Sequence, residues 1–264
     1  MSEILKSIIL GIVQGLTEFL PVSSSGHLEI VKYILGDQAV GEESLLLTVV
    51  LHFATALSTV LIFRSFIWDI FKDLFTKSGK EAREYAGFIV LSMLPAAAVG
   101  VFMEDLIESL FRGNLVLVCS MLILTGILLF IADKATITDK KVTWKTAFLV
   151  GISQAIAIMP GISRSGATIS TSVLLGIDRE AAARFSFLMV IPLIFGKIAK
   201  DLISGDLTSM TTSGGELAAG FVAAFVTGAL ACTWMIKLVK ASSLRYFSYY
   251  CFVVAAIGLA YFLS

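Results

Sequence analysis

The chain has 264 residues, 57% hydrophobic and 15% charged, with Lys+Arg and Asp+Glu balanced at 20 each and a mean hydropathy of +0.92. Soluble domains carry about 45–50% apolar and about 25% charged residues, so a water-soluble fold is excluded and an all-α integral membrane protein is expected. The balanced charge gives no basis for nucleic-acid binding, and Cys119, Cys232 and Cys251 lie in apolar runs without ligand spacing, which argues against a disulfide framework or a zinc site.

In chain order, the first apolar segment, 4–20, carries Gln14 and Glu18 and stops at Pro21-Val22-Ser23-Ser24-Ser25-Gly26, and a short run, 28–35, follows. Glu18 inside the segment argues against a cleaved signal peptide. Spans of about 20 apolar residues are expected at 45–63, 85–103 and 115–132. Segment 148–159 then repeats the first pattern: it stops at Pro160-Gly161-Ile162-Ser163-Arg164-Ser165-Gly166 and is followed by 169–175. Three more spans are expected at 185–198, 217–236 and 247–263, with irregular turns in the first of these, which Pro192 and Gly196 interrupt. The pattern reads as six transmembrane helices plus two re-entrant helical hairpins. Polar, irregular backbone at membrane depth persists only where protein or a water-filled cavity surrounds it.

Residues 11–26 align with 151–166 at an offset of 140 without a gap. Gly11/Gly151, Ile12/Ile152, Gln14/Gln154, Ser23/Ser163, Ser25/Ser165 and Gly26/Gly166 are identical, and the offset still pairs Leu35-Gly36 with Leu175-Gly176. A duplication is expected inside a single membrane domain, 1–264, with repeat one at about 1–135 and repeat two at about 141–264. Each half holds one hairpin and three spans; three is odd, so the second half is inverted and the two tips can meet near mid-membrane. Charge orients the chain. With 64–84 inside, fourteen Lys and Arg fall on the inner connections and five (Lys6, Lys32, Arg112, Lys197, Lys200) outside, with Arg164 set apart. The positive-inside rule then places both termini outside.

The tips carry the chemistry. Gly11, Gln14, Gly15 and Glu18 share one helix face, so a carboxylate and an amide turn toward the protein interior, where an intramembrane acid is a functional candidate. Ser23, Ser24, Ser25, Gly26 and His27 precede a new helix. The serines suit helix capping, and the free N–H groups of a helix start suit phosphate. His27 reads as a nucleophile or as an acid/base acting on a serine. The second tip offers Ser163, Arg164, Ser165, Gly166 and Thr168, a phosphate cradle with one planar guanidinium; the other reading of Arg164 is a lock on Glu18. The halves differ: Glu18, Ser24 and His27 face Ile158, Arg164 and Ala167 in the alignment. Hydrolysis needs such an asymmetry and a symmetric carrier does not. His52, alone in an apolar span, reads as structural.

Gln14-Gly15-Leu16-Thr17-Glu18 with Ser23-Ser24-Ser25-Gly26-His27 resembles the (E/Q)xxxE-plus-SSxGH signature of the undecaprenyl-pyrophosphate phosphatase family, also called the bacitracin-resistance proteins. Pro160-Gly161-Ile162-Ser163-Arg164-Ser165-Gly166-Ala167-Thr168 is similar to that family's PGxSRSxxT motif. The resemblance implies hydrolysis of undecaprenyl pyrophosphate to undecaprenyl phosphate, which recycles the lipid carrier of cell-wall glycans on the outer face of the cytoplasmic (inner) membrane. It implies a polyprenyl pyrophosphate lipid as partner and a divalent cation, Mg²⁺ or Ca²⁺, near Glu18; association into a homodimer is left open. By motif position Glu18, Ser24, His27 and Arg164 are the catalytic candidates. Gln14, Ser23, Ser25, Gly26, Ser163, Ser165, Gly166 and Thr168 are the substrate-binding candidates. Type-2 phosphatidic acid phosphatases are a poor match, because they place a histidine six residues after the arginine and here that residue is Ser170. A lipid-phosphate carrier or flippase built on the same inverted repeat is the alternative.

Overall fold

The structure is a computed structural model that describes residues 1–36, 42–111, 114–136, 138–204, 213–241 and 244–264. Arg112, counted above among the outer cations, lies outside the described residues. Among them there are helices and no strand, only an isolated bridge between Lys140 and Ile177.

The first hairpin is α1 (Glu3–Phe19) and α2 (Ser24–Ile34). Helix α1 starts at a Ser2 cap and ends where Pro21 follows, because the residue before a proline is disfavoured in the α region. Ser7, Leu10, Gly11, Gln14, Gly15 and Glu18 are buried at the helical period, joined near the tip by Thr17 and Phe19, while Ile4, Leu5, Ile12 and Leu16 are exposed. Apolar side chains facing outward are what a lipid-facing surface requires.

Helix α3 (Glu42–Ile62) carries the first expected span and turns by 74° into α4 (Arg64–Leu74). The charge of 64–84 marks it as a plain connection between spans. Its first half is instead an amphipathic helix with no buried residue. Helices α5 (Lys80–Phe102), α6 (Glu104–Phe111) and α7 (Leu115–Asp133) follow. The second hairpin is α8 (Trp144–Ile156) and α9 (Arg164–Leu174), and α10 (Arg179–Ser204), α11 (Gly214–Lys240) and α12 (Leu244–Phe262) complete the chain.

Among the described residues, five helices are long and apolar enough to cross a membrane (α5, α7, α11, α12 and Arg179–Lys200 of α10), and the bent pair α3–α4 adds a sixth. Helix α10 runs through Pro192 without a break, where irregular turns were expected. The hairpin helices α2 and α9 have 11 residues each, or about 16 Å of rise against an apolar core of ~30 Å, so neither spans alone.

The two hairpins pack crosswise. Helix α1 lies along α11 of the other half: a Cβ on Gly15 would stand 2.7 Å from Ala224 O and 2.7 Å from Gly228 N, so only glycine admits this contact. Helix α8 lies along α5: a Cβ on Gly151 would stand 2.6 Å from Ser92 O. The glycines aligned by the repeat, Gly11 and Gly151, thus each face the backbone of a helix from the opposite half. The largest buried cluster joins Phe19, Leu122, Ile169, Phe187, Met235 and Cys251 around the hairpin tips.

Candidate active site

Two short turns meet inside this core. Ser23 Oγ donates to Ile162 O at 3.4 Å, and Ser165 Oγ donates to Leu20 O at 3.4 Å, so each tip holds a carbonyl of the other. Glycine makes the approach feasible: a Cβ on Gly26 would sit 3.3 Å from Gly161 Cα, and one on Gly166 would sit 3.3 Å from Pro21 O. The same cap closes both turns. Gly26 N donates to Ser23 Oγ at 3.2 Å and Gly166 N donates to Ser163 Oγ at 3.0 Å.

The turns begin α2 at Ser24 and α9 at Arg164, so two helix starts converge. A cavity of about 160 Å³ lies between them, lined on its polar side by Glu18, Ser24, Ser25, His52 and Arg164. Its apolar side is Ala157, Ile158, Ile162, Val190 and Ile194. Ligand pockets usually measure about 300–1,000 Å³, so this one has room only for a small polar group.

Glu18 is the hub. One oxygen accepts from Arg164 Nη2. The other accepts from Ser24 Oγ at 2.7 Å and from Gln14 Nε2 at 3.0 Å. Glu18 is 7% exposed and Gln14 is fully buried. A buried carboxylate needs such a set of charge-assisted donors, because leaving it unpaired would cost several kcal/mol. Arg164 also donates from Nη1 to Ser186 O at 3.3 Å, which spreads its fork between α1 and α10.

The remaining candidates fall into two groups. Ser25 lines the cavity beside Ser24. Ser23, Ser165, Gly26 and Gly166 form the tip-to-tip contact instead, and Ser163 caps its own turn and pairs with Ser165 and Thr125. Thr168 bonds Arg164 O at 2.9 Å and Ser186 Oγ at 2.6 Å, which ties α9 to α10. His27 does not line the cavity: Nδ1 meets Ser23 O at 2.8 Å and Nε2 meets Tyr250 Oη at 2.8 Å.

His52, read from the sequence as structural, does line the cavity. Its Nδ1 bonds Thr48 O at 2.8 Å, and its Nε2 stands 3.9 Å from a Glu18 oxygen. A signal was present: Thr48, His52, Thr55 and Thr59 form a polar stripe at helical spacing in an otherwise apolar span. A larger cavity, about 360 Å³, lies at Thr136, Thr138, Asp178, Arg179, Glu180 and Lys240. It mixes both charges and holds none of the motif residues, so its size does not make it the chemical centre.

Among the described residues no group of three or more His, Cys, Asp or Glu could hold a metal. Gln14 Oε1, however, is buried without a hydrogen-bond partner, one helical turn from Glu18. An oxygen of that kind beside a carboxylate suits Mg²⁺ or Ca²⁺, which take oxygen ligands and accept substrate phosphates as the rest of their shell. Glu18 and Gln14 thus supply two oxygens of the type such a cation takes, Glu18 from the cavity wall and Gln14 from behind it.

The sequence model of the family described as "Bacitracin resistance protein BacA" matches residues 7–257. A protein of Christiangramia forsetii named undecaprenyl-diphosphatase is 60% identical over 261 residues, covering 98% of this chain and 99% of that one. Proteins of the same name from Parabacteroides distasonis and Methanococcus vannielii are 44% and 40% identical, covering 97% of this chain in both cases and 97% and 100% of their own lengths.

Proposed function

The chain belongs to the bacitracin resistance protein BacA family, and from that membership and the paired tips we propose that it hydrolyses undecaprenyl pyrophosphate to undecaprenyl phosphate and inorganic phosphate. It is a multi-pass membrane enzyme acting on a lipid phosphoanhydride, in the context of cell-wall synthesis and bacitracin resistance. The observation that carries the reading is Glu18 joined to Arg164 in a cavity fed by two helix starts.

The chemistry follows from what each group can do. The pyrophosphate displaces Glu18 from Arg164, whose planar fork pairs with phosphate oxygens. The first N–H groups of α2 and α9 add positive dipole ends to the same spot. Ser24 Oγ, already donating to Glu18 at 2.7 Å, is the best-placed nucleophile. Its oxygen bonds to the terminal phosphorus, Glu18 accepts its proton, and the bond to the bridging oxygen breaks to release undecaprenyl phosphate. Glu18 hands that proton to the departing phosphate and, ionised again, takes a proton from the water that attacks the phosphoserine phosphorus; the Oγ–P bond breaks, the proton returns to Ser24 Oγ, and inorganic phosphate leaves. The apolar wall of Ile158, Ile162, Val190 and Ile194 gives the first isoprene unit a dry surface. Were a divalent cation bound, Glu18 and Gln14 would be the residues to hold it, and it would offset the charge that builds on the leaving phosphate.

Three further features belong to the proposal. The protein resides in the cytoplasmic membrane, with its cavity toward the outer side and both termini outside. The excess of Lys and Arg on the connections at 64–84, 133–145, 178–184 and 237–245 supports that placement. The two halves, about 1–135 and 141–264, descend from one unit; the matching roles of Gly11 and Gly151 support it.

The test is free phosphate released from a prenyl pyrophosphate by purified protein in detergent, with Mg²⁺ or Ca²⁺ present. Wild type is expected to turn over, and Arg164→Ala and Ser24→Ala to lose at least about 100-fold, as for removal of a group acting in the transition state. Ser24→Ala within threefold of wild type would leave water as the nucleophile. Wild-type protein that moves lipid phosphate across vesicles and releases no phosphate would establish the carrier.

A further inference from the structure

Ser23 is the one non-glycine residue with positive φ among the described residues, at +71°. Its counterpart in the second tip, Ser163, has an ordinary φ of −75°. The two turns otherwise share their cap, their serine pair and their glycine. They differ at two places: the second tip takes its positive φ at Gly161 (+92°), where the first has Pro21, and the residue four positions after the serine is not the same. In the first tip it is His27, whose Nδ1 lies 2.8 Å from Ser23 O. In the second it is Ala167, which has no side-chain donor, and there the serine is relaxed. The histidine is present where the backbone is strained.

The tautomer of His27 follows from its partners. A carbonyl only accepts, so Nδ1 carries the hydrogen and donates to Ser23 O. Neutral Nε2 then accepts, and Tyr250 donates its phenolic hydrogen to it at 2.8 Å. The two rings stack, with centroids 5.5 Å apart and planes 14° from parallel. Tyr250 lies on α12, the last helix of the opposite half. The second tip is pinned in the mirrored way: Thr125 of α7, the last helix of the first half, accepts from Ser163 N at 3.0 Å and donates to Gly161 O at 3.3 Å.

We propose that Tyr250 is a positioning residue of the active site: through His27 it holds the strained turn at Ser23 and so keeps Ser24 aimed at Glu18. The inference rests on the phosphatase reading of the cavity, because its consequence is read in turnover. It assigns His27 a holding role, with both ring nitrogens engaged away from the substrate.

Two measurements on the full chain in detergent test it. Tyr250→Phe removes one oxygen and keeps the stacked ring. The expected result is a fall in kcat of about tenfold, the scale of one hydrogen bond, with KM within twofold and an unchanged melting temperature. In a Ser23→Gly background the same change is expected to cost no more than about twofold, because glycine takes positive φ without a Cβ clash. Equal losses in both backgrounds, or no loss of kcat in the first, overturn the proposal. The second measurement needs no turnover: nitrogen-15 spectra of the two histidines, assigned with His52→Gln, should show His27 as the Nδ1–H tautomer with an Nε2 shift on Tyr250→Phe. An Nε2–H tautomer overturns the proposal. The expected tautomer and shift beside a wild type that releases no phosphate would uphold the Tyr250–His27 contact and reject the phosphatase reading.

Discussion

Glu18 and Arg164 come from helices whose contact spans 146 positions of sequence, and each is mostly buried, at 7% and 17% side-chain exposure. Breaking one side of such a pair strands the other charge, at about 3–5 kcal/mol. Arg164→Ala is therefore expected to lower the melting temperature as well as abolish phosphate release. The double change Glu18→Gln with Arg164→Met removes both charges at similar volume. It should recover most of the lost stability in thermal unfolding and none of the activity, which separates the lock from the chemistry. At this scale much was legible: Gln14, Glu18, Ser24 and Arg164 were all marked by polarity at membrane depth. His52 was marked only by the polar stripe it shares with Thr48, Thr55 and Thr59, and Tyr250 not at all, since each meets its partner only through packing between distant elements.

Helices in lipid gain little from hiding apolar surface, so close backbone contact does much of the work of association. That makes the glycine pattern predictive. Gly15→Val and Gly151→Val push side chains into the backbones of α11 and α5, and each is expected to cost about 1–3 kcal/mol or more of stability. Gly100→Ala meets nothing within 4 Å and should be neutral or gain roughly 0.5–1 kcal/mol from helix propensity. Thermal unfolding of the purified variants, with oligomeric state checked by size exclusion, would show whether the order holds. Helix α4 was invisible in the span pattern because 11 residues with Arg64, Asp69, Lys72 and Asp73 do not resemble a membrane segment. Its Trp68 and Phe71, and Phe75 just past its end, are exposed, and their place beyond the 74° bend suits the interface between lipid and water.

Over the whole molecule, the crossed packing of α1 on α11 and α8 on α5 makes each half complete the other. A chain ending near residue 135 would leave the glycine face of α1 without α11. That half is accordingly expected to be unstable alone and to regain phosphate release when co-expressed with the second half. The orientation is open to labelling, because the three native cysteines are buried and give little background. A cysteine at Lys77 should react with a membrane-impermeant maleimide only in inside-out vesicles, and one at Ser264 only in intact cells; the reverse pattern would invert the assignment.

Composition and local pattern were enough, with sequence alone, to determine a helical membrane protein, two interrupted segments and a phosphate-type chemistry at their turns. Each of those signals is local: a run of apolar residues, a proline stop, a serine cap or a buried acid is visible within a few turns of chain. Only the tertiary structure decided which polar tip residues are free to meet a substrate. Ser24, Ser25 and Arg164 face the cavity, while Ser23, Ser163, Ser165 and His27 are spent on joining and holding the tips. A hydroxyl at a helix start has one useful direction, and the element packed against it, more than a hundred residues away, determines whether that direction leads to protein or to the cavity.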